Sequence, residues 1–98
     1  MSAAEVIELI DYLARHPAAG DVIQGTGGVR KLRWRRPGMG KRGGARVVYY
    51  YHDDAMPLYL LLAYAKSAAG DISAEQKRRM ADLAVELVRR HKERRGRR

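Results

Sequence analysis

A chain of 98 residues with 20 Lys and Arg against 11 Asp and Glu carries a net charge of +9, which favours a polyanionic partner, nucleic acid ahead of an anionic membrane or an acidic protein. That length supports one small domain with a single core, expected to span 1–98. The lack of cysteine excludes a disulfide scaffold and a thiolate metal site, and no apolar run reaches membrane-spanning length.

Residues 2–16 are predicted to form an amphipathic helix. Ser2 caps it with Glu5 at capping-box spacing, Val6, Ile7, Ile10, Leu13 and Ala14 make the apolar stripe, and His16-Pro17 ends it. This opening carries acidic residues and no basic n-region, so it does not read as a secretory signal, and a cytoplasmic location is expected. Residues 18–28 read as a loop with Val22-Ile23 tucked against the core. Its Gly25-Thr26-Gly27-Gly28 is too short for a dinucleotide fingerprint and leads into a strand pattern, where phosphate cradles require a helix.

A strand is predicted over 29–36. Alternation puts Lys31, Arg33 and Arg35 on one face and Arg30, Leu32 and Trp34 on the other, with Trp34 assigned to the core. Cations two residues apart lie about 7 Å from one another, close to the spacing of phosphates along an extended single strand, although a solvated outer face accounts for any one of them equally well. A flexible basic loop follows, containing Lys41 and Arg42 among glycines; no Gly-Lys-Ser/Thr follows it, so it is not a Walker loop.

Two β-prone runs over 45–52 and 58–65, joined by the polar turn His52 to Pro57, predict a hairpin. The second run is almost wholly apolar, which predicts a strand buried on both faces or on one large one, whereas the first alternates enough to leave a working face with Arg46, Val48 and Tyr50 on one side. A second helix is predicted over 73–91 from the Ser73/Gln76 capping box and the recurrence of Met80, Leu83, Ala84, Leu87 and Val88. Residues 89–98, with seven basic side chains and only Glu93 acidic, read as a frayed, solvated tail. Together these elements predict an α+β domain, a small antiparallel sheet of about three strands packed against an N-terminal and a C-terminal helix.

The stretches GDVIQGTGGVRKLRW, PGMGKRGGARVVYYY and LYLLLAYAK, with the helix start DISAEQK, resemble the RelE/HigB-type toxins of bacterial type II toxin-antitoxin systems over about residues 17–88. The run GKRGGARVVYYY is the most specific part of the likeness. The resemblance implies a RelE-like fold and a ribosome-associated endoribonuclease that cuts messenger RNA without a metal or cofactor. It implies as partners the ribosome, mRNA and a cognate antitoxin, often a helix-turn-helix protein, with operator DNA reached only through that antitoxin and no membrane involved. Residue by residue it points to Lys31, Arg33, Arg46 and Lys66 as the catalytic set. Family members usually have a strand and a further helix ahead of the helix that opens this chain, so an exposed sheet edge is expected, with an antitoxin segment or a second copy pairing there or covering the basic face.

Cleaving RNA through its own 2′-hydroxyl requires a base for that proton, cations on the phosphorane and an acid for the leaving oxygen. His16, His52 and His91 fall on a helix end, a turn and a second helix, unlike a convergent pair. Like-charge repulsion in a cation cluster favours a neutral amine, which casts Lys31 or Lys66 as the base. Arginine stays protonated, so Arg33 and Arg46 are cast as phosphate clamps. Arg30, Arg35, Lys41 and Arg42 are candidate RNA contacts, and Tyr50, sharing a face with Arg46, and Tyr64, sharing one with Lys66, are candidate base-stacking platforms. The alternatives are a toxin-fold protein without chemistry, either gyrase-inhibitor-like or an RNA- or ribosome-binding module.

Overall fold

The computed structural model describes residues 3–34, 44–65 and 72–96. Its elements are α1 (Ala3–Arg15), β1 (Asp21–Val22), β2 (Val29–Trp34), β3 (Ala45–Tyr50), β4 (Tyr59–Ala65) and α2 (Ala74–Gly96). The strands form one antiparallel sheet in the order β1-β2-β3-β4, so each strand neighbours the next in sequence. This is the expected α+β class with one strand more than expected: Asp21-Val22 joins the edge instead of lying in a loop.

The turn from β1 to β2 explains the glycine cluster. Thr26 is fully buried; its hydroxyl donates to Ile23 O at 2.6 Å and accepts from Val29 N at 3.1 Å, while Ile23 N donates to Val29 O at 2.8 Å. Gly25, Gly27 and Gly28 have φ of 81°, 71° and 114°, a region costly for residues with a Cβ. The glycines therefore serve chain reversal.

Alternation divides the sheet into two faces, each covered by one helix. On one, Leu9 and Leu13 of α1 pack against Val47 and Tyr49, with Leu32 and Trp34 at the margin. On the other, Met80, Ala84, Leu87 and Val88 of α2 pack against Val29, Val48, Tyr50 and Met56. The core thus lies on both sides of β3, whose last four residues are all buried. Full burial of each such side chain stabilises by about 1.5–3 kcal/mol.

Three expectations are corrected here. β3, not the more apolar run, is the strand buried on both faces, and β4 is an edge strand with Leu60 and Leu62 exposed. Position in the sheet is set by neighbours on either side, which the hydropathy of a run alone does not encode. In α1 the buried stripe runs through Leu9 and Leu13, leaving Ile7 and Ile10 exposed. Third, residues 89–96 continue α2 instead of fraying. Glu86 bridges Arg89 at 2.5 Å and Arg90 at 2.9 Å, and Arg89 also pairs with Glu93; basic residues in the last turn complement the helix dipole. The helix begins as expected, with Gln76 N donating to Ser73 Oγ at 3.1 Å and Ser73 N to Gln76 Oε1 at 2.9 Å.

Candidate functional site

The register brings two of the expected catalytic residues side by side. Arg33 on β2 is the direct cross-strand partner of Arg46 on β3, and Arg46 is in turn opposite Tyr64 on β4. Side chains directly opposite share a face with Cβ atoms about 4.5–5.5 Å apart, so Arg33, Arg46 and Tyr64 form one transverse row. Lys31 lies on the same face one pleat away, opposite Val48. Arg33 is exposed, while Arg46 and Lys31 are half-buried. Among the described residues no carboxylate forms an ion pair with any of the three.

Two like charges directly opposite one another destabilise a sheet. The surroundings force the arrangement, because the hydrophobic contacts of Val29, Val48 and Tyr50 with α2 lock the register that puts Arg33 beside Arg46. A one-residue slip would turn Val48 and Tyr50 to the α1 side. The row lies at the end of this face where β2 finishes and β3 begins, beyond Val48 and Tyr50. Tyr64 packs against the α2-side core while adjoining Arg46, so its ring is supported on one side and borders the cations on the other. Chemically, the row offers two fork-shaped cations, a nearby lysine side chain and an aromatic ring, a set suited to a phosphodiester with an adjoining base.

The other expected residues divide. Arg30 is on the α1 side of the sheet, where its Nη1 donates to Gly20 O at 2.7 Å and Ala18 O at 3.4 Å; it braces the loop after α1 and is not brought to the row. Tyr50 is only 5% exposed, packed under α2 with its hydroxyl 3.4 Å from His52 Nδ1, which leaves no face for a base. Lys66, Arg35, Lys41 and Arg42 lie outside the described residues. Trp34 belongs to the core margin, its ring centroid 5.5 Å from that of Tyr12. Of the histidines, His16 contacts Tyr12, His52 stacks on Tyr50, and His91 is in α2. The direct Arg46–Tyr64 pairing was missed by simple alternation within each strand, since it depends on register across the hairpin.

Burial raises the Tyr50 phenol above its ordinary value, as it does for Tyr49, so both are neutral core groups. Hydrogen bonds from Arg89 and Arg90 hold the Glu86 carboxyl down at about 2, and the pairing raises Arg89. Among the described residues no group of three His, Asp or Glu side chains could hold a metal ion, and no helix is long and apolar enough to cross a membrane.

The family model described as the RelE toxin of RelE / RelB toxin-antitoxin system matches residues 14–95, most of the chain. The chain belongs to the RelE toxin family. The matched span contains all four strands of this RelE toxin, the Arg33–Arg46–Tyr64 row and almost all of α2. It is therefore the toxin of a toxin-antitoxin pair, and its family implies a cognate RelB-type antitoxin as partner.

Proposed function

We propose that this RelE toxin is a ribosome-dependent mRNA endoribonuclease that inhibits translation by metal-independent cleavage through the RNA 2′-hydroxyl. The observation that carries the reading is the cross-strand row in which Arg33 faces Arg46 and Arg46 faces Tyr64, with Lys31 on the same face. Like charges held together with no carboxylate partner among the described residues cost stability, and an anion placed between them offsets that cost.

In this mechanism Arg33 and Arg46 hold the non-bridging oxygens of the scissile phosphate and stabilise the charge that grows on them as the phosphorane forms. The amine of Lys31, one pleat away, takes the 2′-hydroxyl proton as the 2′-oxygen bonds to phosphorus; the bond to the 5′-oxygen breaks to leave a 2′,3′-cyclic phosphate, with solvent water giving the departing oxygen its proton, and Lys66, the residue after β4 in the sequence, is proposed as a further cation. Tyr64 stacks a base beside the cleaved bond. Arg35, Lys41 and Arg42 are proposed as contacts to the flanking RNA backbone. A site made of cations and one aromatic ring orients RNA weakly by itself, which fits a reaction in which the ribosome presents the message.

Primer extension on translating messages tests the proposal. New 5′ ends are expected with the wild-type toxin, with cleavage falling about 10²–10³-fold in Arg46→Ala, the loss typical of removing one preorganised charge-stabilising donor. Unaltered RNA during translational arrest would replace the nuclease reading with a non-catalytic ribosome-binding one, for which the basic end of α2, Arg89 to Arg95, is the natural contact.

A further inference from the structure

The charged side chains of the four strands are Asp21, Arg30, Lys31, Arg33 and Arg46. Asp21 is the one carboxylate among them, and the register sets it directly opposite Lys31, the one lysine. Two observations fix its face. Ile23 N donates to Val29 O at 2.8 Å and Ile23 packs into the α2-side core, so alternation puts Asp21, two residues earlier, on that side as well. Val22, paired with Arg30, points to the α1 side. Asp21, Lys31, Val48 and Leu62 therefore form a second transverse row, one pleat away from Arg33, Arg46 and Tyr64.

A carboxylate at the margin of a cation cluster weakens the pull on a polyanion, so affinity for RNA gives no reason for Asp21 to stand there. A cross-strand ion pair would steady the edge, and side chains directly opposite have Cβ atoms about 5 Å apart, within easy reach of one. Yet among the described residues Asp21 and Lys31 form no ion pair. Asp21 therefore acts on Lys31 through its field and leaves the amine open to a substrate. Asp21 is exposed and Lys31 half-buried, so the lysine is the better held of the two.

We propose that Asp21 is a positioning residue for the cleavage step: its carboxylate, opposite Lys31 and on the same face, stabilises the ammonium that Lys31 becomes on taking the 2′-hydroxyl proton. This role rests on the base function proposed for Lys31. The amine enters the step neutral and leaves it charged, and the cations of Arg33 and Arg46, one pleat along, oppose that change. Asp21 offsets them, as the aspartate of a hydrolase triad stabilises its imidazolium without being protonated. It touches neither the 2′-hydroxyl nor the phosphate, and the proton stays on Lys31 Nζ until solvent removes it.

Single-turnover cleavage of a message on programmed ribosomes, with the full-length toxin in excess, separates chemistry from binding. For charges about 6 Å apart, losing the carboxylate slows the step about 3-fold in bulk water and about 100-fold at an effective dielectric of 20; because Asp21 is exposed, about 3–10-fold is expected for Asp21→Asn at saturation. The same variant should bind the ribosome as tightly as wild type or tighter, since removing one negative charge from +9 gives +10. Asp21→Glu should recover most of the rate. Val22→Thr, an exposed position on the same edge but the other face, should leave rate and affinity unchanged. In a Lys31→Ala background, Asp21→Asn should cost nothing further. The role is overturned if Asp21→Asn matches or exceeds the wild-type rate at saturation, or if its loss is as large with Lys31 removed. It is equally overturned if Val22→Thr loses as much, which would make the edge strand a structural requirement only. A wild-type chain that cleaves no message removes the nuclease reading and this role with it, whereas an active wild type with an unaffected Asp21→Asn removes the role of Asp21 alone.

Discussion

Arg33 and Arg46 give the most direct test of whether the row is a built anion site. With Cβ atoms about 5 Å apart and the side chains free to splay, the charge centres stand about 7 Å from each other, and their repulsion is about 0.6 kcal/mol in bulk water and about 2.4 kcal/mol at an effective dielectric of 20. The Debye length is about 30 Å at 0.01 M salt and about 3 Å at 1 M, so the repulsion survives in dilute buffer and is cut to about a tenth in strong salt. A double-mutant cycle with Arg33→Gln, Arg46→Gln and the pair, followed by urea unfolding, reads it directly. Each single variant is expected to be more stable than wild type by about 0.5–1 kcal/mol in 0.01 M salt, raising Tm by about 2–8 °C, and the second substitution should add little. At 1 M salt the coupling should vanish. A coupling that is zero or favourable in dilute buffer would show that the two guanidinium groups do not converge, and the phosphate-clamp role would go with it.

Four further outcomes follow from the buried hydrogen bonds and the ion pairs of α2. Tyr49 donates its hydroxyl to Pro17 O at 2.8 Å and accepts from Gly20 N at 2.8 Å, so Tyr49→Phe strands two groups and should cost about 2–4 kcal/mol in thermal unfolding. Because burial raises the Tyr49 phenol, its contribution is intact below pH 10.0 and is lost as pH climbs through the folded value; Tyr49→Phe should lack that part of the alkaline transition in a pH titration followed by circular dichroism. Thr26→Val keeps the shape but orphans Ile23 O and Val29 N in a fully buried turn, for an expected loss of about 1–3 kcal/mol in urea unfolding. Glu86, held down at about 2, supports α2 above the ordinary carboxylate value of 4.5 and loses that support as pH falls from 4.5 through 2. Helical ellipticity should decline over this window in wild type and less in Glu86→Gln, with 1 M salt shrinking the difference.

Much of the architecture is legible in residue order because it depends on neighbours. The Ser73/Gln76 cap, the stop at His16-Pro17, the alternation that puts Lys31 with Arg33 and Arg30 with Trp34, and the core role of Trp34 all follow from local stereochemistry. The family likeness over the strands was equally legible. Arg30 shows where this reach ends: alternation assigns its face correctly, yet only the fold shows its guanidinium spent on the carbonyls of Gly20 and Ala18. Tyr50 is similar, since sharing a face with Arg46 says nothing about α2 lying over it.

Composition and local pattern by themselves determined a basic α+β chain, the cap of α2 and the face to which each residue of β2 and β3 points, because those properties are decided within a few bonds of each residue. Tertiary structure decided that β3 is central and β4 an edge, and that Arg46 stands between Arg33 and Tyr64. Those facts come from strand order and register, which are chosen by burying Val48, Tyr49 and Tyr50 between two helices distant in sequence.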